Sequence, residues 1–301
     1  MAVVETKDLG RRYGDTWGLR DASFTVEKGE MAVLAGPNGA GKTTTIRILT
    51  TFLKPSKGWA NVLGMDVVKD YKSIRRRVSY LPQEYEVSND LTPMEAVMWN
   101  LVARGWPISR ARDHAKKWLE LMGIWELRKR TCWNLSGGEK RRVSVAMVLA
   151  TEADLIFLDE PTVGLDVEIK HSVWKAIREI ISQGASIVLT THNMDEAETI
   201  ADKVVMVDQG KTIIQEQPRK LVGSLPYRYR VVVGKSEKLA DSSLGEFIDL
   251  GDRLIIYARE RGEAVRLVDE LSLVTNIYSM SEVGLEDAYL YIIKGRGSHH
   301  D

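Results

Sequence analysis

The sequence predicts an α/β fold, and three stretches of its 301 residues carry that prediction. The stretch MAVLAGPNGAGKTTTIRILT contains a short apolar run, a glycine-rich turn and then apolar residues at helical spacing. The stretches ADLIFLDEP and ASIVLTTH each place apolar residues directly before polar ones. Because unbroken apolar runs are typical of strands buried on both faces, these segments are expected to lie in one sheet.

Composition limits the classes of function. The 42 lysines and arginines balance the 42 aspartates and glutamates, whereas nucleic-acid-binding domains are usually basic, so no nucleic-acid partner is expected. The single cysteine, Cys132, excludes an internal disulfide framework and is expected to be inert. The N-terminus lacks a secretory signal pattern and no apolar stretch approaches ~18 residues, so we expect a cytoplasmic chain that reaches a membrane through a partner.

The glycine-rich turn predicts a nucleotide site. Residues 36–43 match G-x-x-x-x-G-K-[ST], a phosphate loop, in the strand-to-helix context that supports it. We expect Lys42 to place its charge on the β- and γ-phosphates and Thr43 to offer its hydroxyl to Mg²⁺. The predicted nucleotide-binding residues of this segment are Gly36, Pro37, Asn38, Gly39, Ala40, Gly41, Lys42, Thr43 and Thr44.

Polar residues follow the other predicted strands. Asp159 and Glu160 come directly after a buried strand, and open α/β sheets bind ligands at the carboxyl ends of their strands. Asp159 is therefore a candidate metal ligand, and Glu160 is the candidate group that orients or deprotonates the attacking water. His192 ends ASIVLTTH and is a candidate γ-phosphate sensor. Gln83, in VSYLPQE, is expected to end another short strand and is a candidate to reach the metal or the water.

The stretch NLSGGEKRR begins a further helix with two glycines. Ser136 and Glu139 match the S-x-x-E capping box, which satisfies the free backbone donors of a helix start. That pattern does not explain Gly137 and Gly138, each of which costs roughly 1 kcal/mol relative to alanine inside a helix. Since bare N–H groups at a helix N-terminus bind anions, these residues are expected to contact a phosphate.

Together these motifs resemble the ATP-binding subunit of an ATP-binding-cassette (ABC) transporter, over residues 1 to about 224. In that family's order they are GPNGAGKT as Walker A, Gln83 as the Q-loop, LSGGE as the signature, LIFLDE as Walker B, GLD as the D-loop and His192 as the switch histidine. The resemblance implies a P-loop NTPase core of the ABC ATPase type, with a helical subdomain and an N-terminal antiparallel β subdomain. It also implies that ATP and Mg²⁺ are bound.

The resemblance implies protein partners as well. In ABC ATPases the signature of one subunit caps the γ-phosphate held by another, so Ser136, Gly137 and Gly138 would serve the ATP of a second ABC ATPase subunit. A homodimer is favoured because no motif departs from the active pattern, and a heterodimer stays open. Asp166, in GLD, would cross the same interface, and Tyr13 sits where the family stacks an aromatic ring on adenine. Integral-membrane permease subunits would hold the dimer at the cytoplasmic face of the cell membrane.

A helix-rich insertion lies between Gln83 and the signature, at about residues 90–134, where the family has its helical subdomain. Its clearest helices are TPMEAVMWNLVARGW and SRARDHAKKWLELMGI. Most of its tryptophans are expected in the core, and one or two exposed ones would suit a permanent interface with the permease. These tryptophans are Trp99, Trp106, Trp118, Trp125 and Trp133.

A small C-terminal α+β domain is predicted over residues 225–301, after an ABC ATPase domain over residues 1–224. The pattern predicts strands at 227–234, 246–250, 253–258 and 274–279, and helices at 236–243, 262–271 and 284–294. Apart from the last helix, this order is a split βαβ arrangement. The ending VGLEDAYLYII resembles the tail of daunorubicin-resistance-type exporter ATPases.

The predicted function is an ATPase that powers a membrane permease, with an exporter of the daunorubicin-resistance type favoured by the tail. An importer ATPase is one alternative, although its C-terminal extension is usually longer and barrel-like. A non-transport ABC ATPase acting on ribosomes or DNA is another, although such proteins carry two cassettes or long coiled coils. A regulatory module without turnover would be favoured if Glu160 were absent.

Overall fold

The computed structural model of the chain describes residues 1–236 and 246–297. The chain divides into two compact units, Met1–Glu216 and Gln217–Asp301. The first unit therefore ends a few residues before the predicted boundary after residue 224.

The first unit is built on a 10-stranded sheet flanked by helices. Its strands are β1 (Ala2–Tyr13), β2 (Thr16–Glu27), β3 (Met31–Ala35), β4 (Lys57–Val62), β5 (Met65–Asp66), β6 (Val78–Leu81), β7 (Leu155–Asp159), β8 (Ser186–Thr191), β9 (Lys203–Asp208) and β10 (Lys211–Glu216). Across the sheet the strand order is β5-β4-β1-β2-β10-β9-β3-β8-β7-β6. Its helices are α1 (Lys42–Leu49), α2 (Tyr71–Arg77), α3 (Pro93–Ala103), α4 (Ile108–Leu121), α5 (Gly137–Leu149), α6 (Val167–Ser182) and α7 (Met194–Ile200).

One half of this sheet is parallel and fully buried. The neighbouring strands β9, β3, β8, β7 and β6 pair in parallel. Every residue of β3, β7 and β8 is buried, as expected for apolar runs without alternation. Their carboxyl ends meet at one edge, where β3 leads into the glycine-rich turn, β7 ends at Asp159 and β8 leads to His192. The predicted α/β core is confirmed.

The other half of the sheet is largely antiparallel. Strand β1 pairs antiparallel with β2 and β4, and β4 pairs antiparallel with β5. The turn between β1 and β2 includes Gly14, whose φ of 56° lies in the left-handed region that glycine adopts most readily. Apolar residues of both halves and of α1, including Phe24, Phe157 and Ile46, form one core cluster. The predicted N-terminal antiparallel β subdomain is therefore present.

The insertion after β6 is helical, as predicted. Helix α3 begins with a capping box, in which the Thr92 hydroxyl accepts from the Glu95 N–H and the Glu95 carboxylate accepts from the Thr92 N–H. Two 3-10 turns, Trp125–Leu127 and Cys132–Asn134, then lead towards α5. Helix α3 packs against α4 and α5. Among the described residues, no helix combines the length and the apolar character needed to cross a membrane.

The tryptophans of the insertion differ widely in exposure. Trp118 lies in the core at 1% exposure, and its Nε1 donates to His114 Nε2 at 3.0 Å. Trp99 and Trp133 are 46% and 71% exposed. These are two exposed tryptophans of the kind expected to suit an interface with a permease, and that interface stays a prediction.

Trp106 and Trp125 are only half-buried, so the expectation that most of these tryptophans lie in the core is wrong. The guanidinium carbon of Arg110 lies 4.1 Å from a ring centroid of Trp106, and that of Arg128 lies 4.3 Å from one of Trp125. A guanidinium over an indole face is a favourable cation–π contact. These rings are therefore stabilised at the surface by arginines three or four residues further along the chain.

The second unit contains a four-stranded antiparallel sheet. Its strands are β11 (Tyr229–Gly234), β12 (Phe247–Asp249), β13 (Arg253–Ala258) and β14 (Ile277–Glu282), and its helices are α8 (Pro218–Gly223), α9 (Arg261–Leu271) and α10 (Leu285–Gly297). The order β12-β13-β11-β14 places β13 between β11 and β12, and β11 between β13 and β14, as in a split βαβ arrangement. Beyond residue 236, the predicted helix at 236–243 lies outside the described residues.

Two boundaries in the second unit differ from the sequence expectation. Helix α8 packs against α10, which is why the division of the chain precedes α8. Strand β14 starts three residues later than the predicted 274 (277 − 274 = 3), because the N–H groups of Val274 and Thr275 both donate to the Leu271 carbonyl at the end of α9.

The acidic tail motif fixes the start of α10. The Asp287 carboxylate is fully buried and accepts from the Tyr257 hydroxyl at 2.9 Å, from Arg230 Nη1 at 3.3 Å and from the Gly284 N–H at 2.8 Å. Glu286 also pairs with Arg230, at 3.2 Å, but its side chain is 54% exposed. Asp287 therefore ties α10 to β11 and β13.

Asp287→Asn is expected to loosen the second unit, because Arg230 would lose its buried carboxylate partner. We expect a local loss of about 2 kcal/mol, measured as faster amide hydrogen exchange in β11 and β13 with exchange in β3 unchanged. Glu286→Gln is the matched control and is expected to change local stability by less than about 0.5 kcal/mol, because exposed ion pairs contribute little. Equal effects of the two substitutions would contradict this role of Asp287.

Candidate active site

The glycine-rich turn between β3 and α1 comes closer to its surroundings than side chains would permit. A Cβ atom on Gly36 would lie 2.0 Å from the carbonyl oxygen of Val207. Gly41, the N-cap of α1, has a φ of 102°, in the left-handed region that favours glycine. No side chain caps α1, so the N–H groups at its start are available to bind an anion.

Lys42, the first residue of α1, turns its side chain back over this loop. Its Nζ donates to the carbonyl oxygens of Gly36 and Pro37 at 2.6 and 2.9 Å. The pKa of Lys42 lies below its usual value, because burial lowers it more than the carboxylates of Glu160 and Asp159 raise it. An ammonium held above free backbone N–H groups suits the binding of phosphate oxygens.

A cleft of about 390 Å³ lies over the loop. Its lining residues are Gly18, Asn38, Gly39, Ala40, Gly41, Lys42, Thr43, Thr44, Gln83 and Glu160. The phosphate loop, the Q-loop glutamine and the Walker B glutamate thus reach one space, which we call the phosphate-loop cleft.

Asp159 lies beneath this cleft at the end of β7 and is fully buried. Its Oδ1 accepts from the hydroxyls of Thr43, at 3.2 Å, and Thr190, while its Oδ2 has no hydrogen-bond partner within the described part of the chain. The pKa of Asp159 lies above its usual value, because burial raises it more than these two hydrogen bonds lower it. Because Mg²⁺ prefers oxygen ligands, the unpartnered Oδ2 and the Thr43 hydroxyl fit a magnesium ion.

Glu160 follows β7 with a backbone φ of 48°, in the left-handed region, and is 7% exposed. This conformation costs a residue with a Cβ atom about 1 to 2 kcal/mol. One carboxylate oxygen lies 3.1 Å from His192 Nδ1, and the other accepts from Gln83 Nε2 at 3.4 Å. The structure therefore brings three predicted catalytic side chains together from the ends of β6, β7 and β8.

Two residues that the sequence reasoning missed hold this arrangement. The Thr190 hydroxyl donates to Asp159 Oδ1 and accepts from the Glu160 N–H at 3.0 Å. Arg141, on α5, donates from Nη2 to the carbonyl oxygens of Asp159 and Glu160 at 3.0 and 2.8 Å. The runs LTTH and KRR contain these residues, but neither pattern specifies a partner.

The signature forms the start of α5. The Ser136 hydroxyl accepts from the Glu139 N–H at 3.3 Å, and the Ser136 N–H donates to the Glu139 carboxylate at 2.7 Å, which confirms the predicted capping box. A Cβ on Gly137 would meet no atom of the described chain within 4 Å, and one on Gly138 would make ordinary contacts of 3.8 and 4.0 Å. Neither crowding nor a positive φ therefore requires glycine at these two positions.

A second cleft, of about 460 Å³, lies at the signature and is called here the signature cleft. Its lining residues are Gln83, Glu84, Tyr85, Glu86, Gly137, Gly138, Lys140, Arg141, Val163 and Gly164. Gln83 lines both clefts, whereas the signature glycines line this one and not the phosphate-loop cleft. Within one chain, the signature and the phosphate loop thus face different spaces.

Tyr13 lies at the rim of the phosphate-loop cleft, and Asp166 lies at the start of α6. A Cβ on Gly18, which lines the phosphate-loop cleft, would lie 2.6 Å from Cε2 of Tyr13, so the ring covers this part of the rim. Tyr13 is 44% exposed. Asp166 is the N-cap of α6, and its carboxylate accepts from the Ile169 N–H at 2.9 Å. Its predicted contact across a dimer interface stays a prediction.

Comparison with known proteins identifies the family. The ABC transporter family model matches residues 19–163. The daunorubicin/doxorubicin resistance ATP-binding protein DrrA of Streptomyces peucetius is 33% identical over 96% of this chain and 91% of its own length. The Nod factor export ATP-binding protein I of Burkholderia lata is 34% identical over 74% of this chain and 74% of its own length.

Solved structures agree in fold. A dimeric ATP-binding cassette in a post-hydrolysis state, bound to ADP and inorganic phosphate, matches with a TM-score of 0.66 over 71% of this chain and 98% of its own, at 22% identity. This similarity and the sheet topology confirm the predicted fold class. On the near full-length relationship to DrrA and the match to the family model, the chain belongs to the ATP-binding proteins of ABC transporters, a family of ATPases.

Proposed function

We propose that two copies of this chain enclose two ATP molecules, each held between the phosphate loop of one copy and the signature of the other. The open space at Gly137 and Gly138 carries this proposal, because no contact within the described chain requires glycine at these two positions. Bare N–H groups at a helix start are instead suited to an anion brought by a second molecule. The dimeric cassette of similar fold supports such a pairing.

In the proposed site, the first unit supplies all contacts to the nucleotide held in the phosphate loop. Lys42 and the backbone N–H groups of the loop bind the phosphates, and Tyr13 stacks on adenine. Thr43 and Asp159 would hold Mg²⁺, which neutralises charge on the phosphates when bound.

The proposed reaction is hydrolysis of ATP to ADP and phosphate with Glu160 as the base. Glu160 orients the attacking water and takes its proton as the water oxygen bonds to the γ-phosphorus and the bond from that phosphorus to the leaving oxygen of ADP breaks. His192 and Gln83 hold one carboxylate oxygen each, so the direction of the carboxylate is set before water attacks. His192 is also the proposed contact to the γ-phosphate.

We further propose that the ATPase drives export through integral-membrane permease subunits at the cytoplasmic face of the cell membrane. The names of the two relatives, one a drug-resistance protein and one an export protein, support this direction. The open four-stranded sheet of the second unit does not resemble the barrel-like extension expected of an importer. The exposed rings of Trp99 and Trp133 support a protein interface, since tryptophan is enriched there.

Glu160→Gln is expected to retain ATP binding and to slow steady-state turnover by ~10²- to 10⁴-fold, because the amide cannot accept the proton of water. The variant should accumulate as an ATP-bound dimer, detected by gel filtration. Glu179→Gln, at an exposed position of α6, is the control for loss of a negative charge and should leave turnover unchanged. Turnover of Glu160→Gln within about threefold of the unsubstituted chain would remove Glu160 from the mechanism.

The role of the signature in a second site is tested by comparing two substitutions in the Glu160→Gln background. Lys42→Ala should weaken ATP binding even to the monomer, because Lys42 serves its own nucleotide. Ser136→Arg should leave monomer affinity unchanged and abolish the ATP-dependent dimer, because its side chain would occupy the space of the partner's γ-phosphate.

Calorimetry at low protein concentration measures the affinity of the monomer, and gel filtration measures the dimer. Ser182→Arg, at the exposed end of α6, is the matched control and should affect neither property. If Ser136→Arg weakens ATP binding to the monomer as much as Lys42→Ala does, the signature serves its own nucleotide and the proposed dimer is wrong.

The second unit is proposed to be a separate domain that ATP binding does not require, since every proposed nucleotide contact lies in Met1–Glu216. A chain ending after Glu216 is expected to fold and to bind ATP with an affinity within about threefold of the full chain. Circular dichroism checks the fold and calorimetry the affinity. A folded chain that has lost its affinity for ATP would show that the second unit belongs to the ATP-binding domain.

A further inference from the structure

Arg141 makes an unusual set of contacts for a residue outside the nucleotide motifs. Its guanidinium donates to backbone carbonyl oxygens of two separate segments, one after β6 and one at the end of β7. The accepting residues and distances are Pro82 (3.2 Å), Gln83 (3.1 Å), Asp159 (3.0 Å), Glu160 (2.8 Å) and Pro161 (3.2 Å). One planar group therefore joins the segment of Gln83 to that of Glu160.

The carbonyl contact matters most at Glu160, whose backbone is in the left-handed region with a φ of 48°. A strained conformation persists only when neighbouring groups hold it. The Thr190 hydroxyl holds the Glu160 N–H, and Arg141 Nη2 holds the Glu160 carbonyl oxygen. The two contacts therefore fix the peptide groups on both sides of Glu160.

Arg141 also connects these segments to the signature. It lies on α5 three residues after Gly138 (141 − 138 = 3), and both residues line the signature cleft. Because α5 is one continuous helix, a shift of its first turn also moves the base of the Arg141 side chain.

We propose that Arg141 is a positioning residue for ATP hydrolysis, which fixes the Glu160 and Gln83 backbones and links them to the signature helix of the same chain. It touches carbonyl oxygens rather than the reacting groups, so it acts through Glu160. Under the proposed function, on which this last step rests, Arg141 transmits binding of the partner's ATP at the signature to the Glu160 of the chain's own site.

The test compares Arg141→Gln and Arg141→Lys with Arg142→Gln. Arg142 is the next residue on α5, but its Nη1 donates to the carbonyl oxygens of Met122 and Gly123, at the end of α4. Arg142→Gln thus controls for the loss of one half-buried arginine from the same helix. Arg141→Lys keeps the positive charge but cannot reproduce a planar fork of donors, so it separates geometry from charge.

We expect both Arg141 variants to lose ~10- to 100-fold in kcat with KM and calorimetric ATP affinity within about threefold, because a misplaced base slows chemistry without removing phosphate contacts. Arg142→Gln should also lower Tm, because it removes two hydrogen bonds to the end of α4, and should leave kcat within about threefold. If Arg141→Gln does not fold, the result for Arg141→Lys decides. A kcat within about threefold in Arg141→Lys, or an equal kcat loss in Arg142→Gln, would overturn the inference.

Failure of the proposed function would give a different experimental result. It would appear as absence of the ATP-dependent dimer in the Glu160→Gln chain with Arg141 intact. In that case a selective kcat loss in the Arg141 variants would still support positioning of Glu160, and the link to a partner's ATP would be wrong. If the dimer forms and kcat does not respond to Arg141, the inference fails and the proposed function stands.

Discussion

The site depends on the burial of two adjacent carboxylates at the end of β7. Asp159 is fully buried and Glu160 is 7% exposed, and a buried carboxylate is costly unless charges or hydrogen bonds compensate it. The Thr43 and Thr190 hydroxyls supply hydrogen bonds to Asp159, and the Lys42 ammonium supplies the opposite charge. These partners come from α1, which follows β3, and from β8, so the parallel order of the strands places them beside the two carboxylates.

Much of the fold could be predicted because its signals are local. The strands of the parallel core are unbroken apolar runs, and the phosphate loop is a contiguous motif. The errors concern features set by neighbours. Trp106 and Trp125 lie in stretches that have the helical pattern of core residues. Arg110, four residues after Trp106, and Arg128, three residues after Trp125, cover these rings at the surface. The strand Ile277–Glu282 begins late because the end of the preceding helix uses residues that the apolar pattern had assigned to the strand.

The candidate site was predictable in its side chains and less so in its backbone. Glu160, Gln83 and His192 were identified from strand ends and motif order, and the structure brings their side chains into contact. The left-handed backbone of Glu160 was not predicted, nor were the hydrogen bonds with Thr190 and Arg141 that hold it. A hydroxyl or a guanidinium in the sequence does not specify which carbonyl or N–H it will meet, because that depends on how distant segments pack.

The position of Gln83 has a thermodynamic consequence. Its side chain contacts Glu160, its carbonyl accepts from Arg141, and it lines both the phosphate-loop cleft and the signature cleft. Any partner that moves the segment after β6 must therefore change the surroundings of the glutamate, and any ligand that moves the glutamate must change that segment. Linkage requires the two effects on binding to be equal in free energy. A permease that binds this segment more tightly when ATP is bound would thus raise the affinity for ATP by the same factor, with Gln83 and Arg141 as the contacts that carry the coupling.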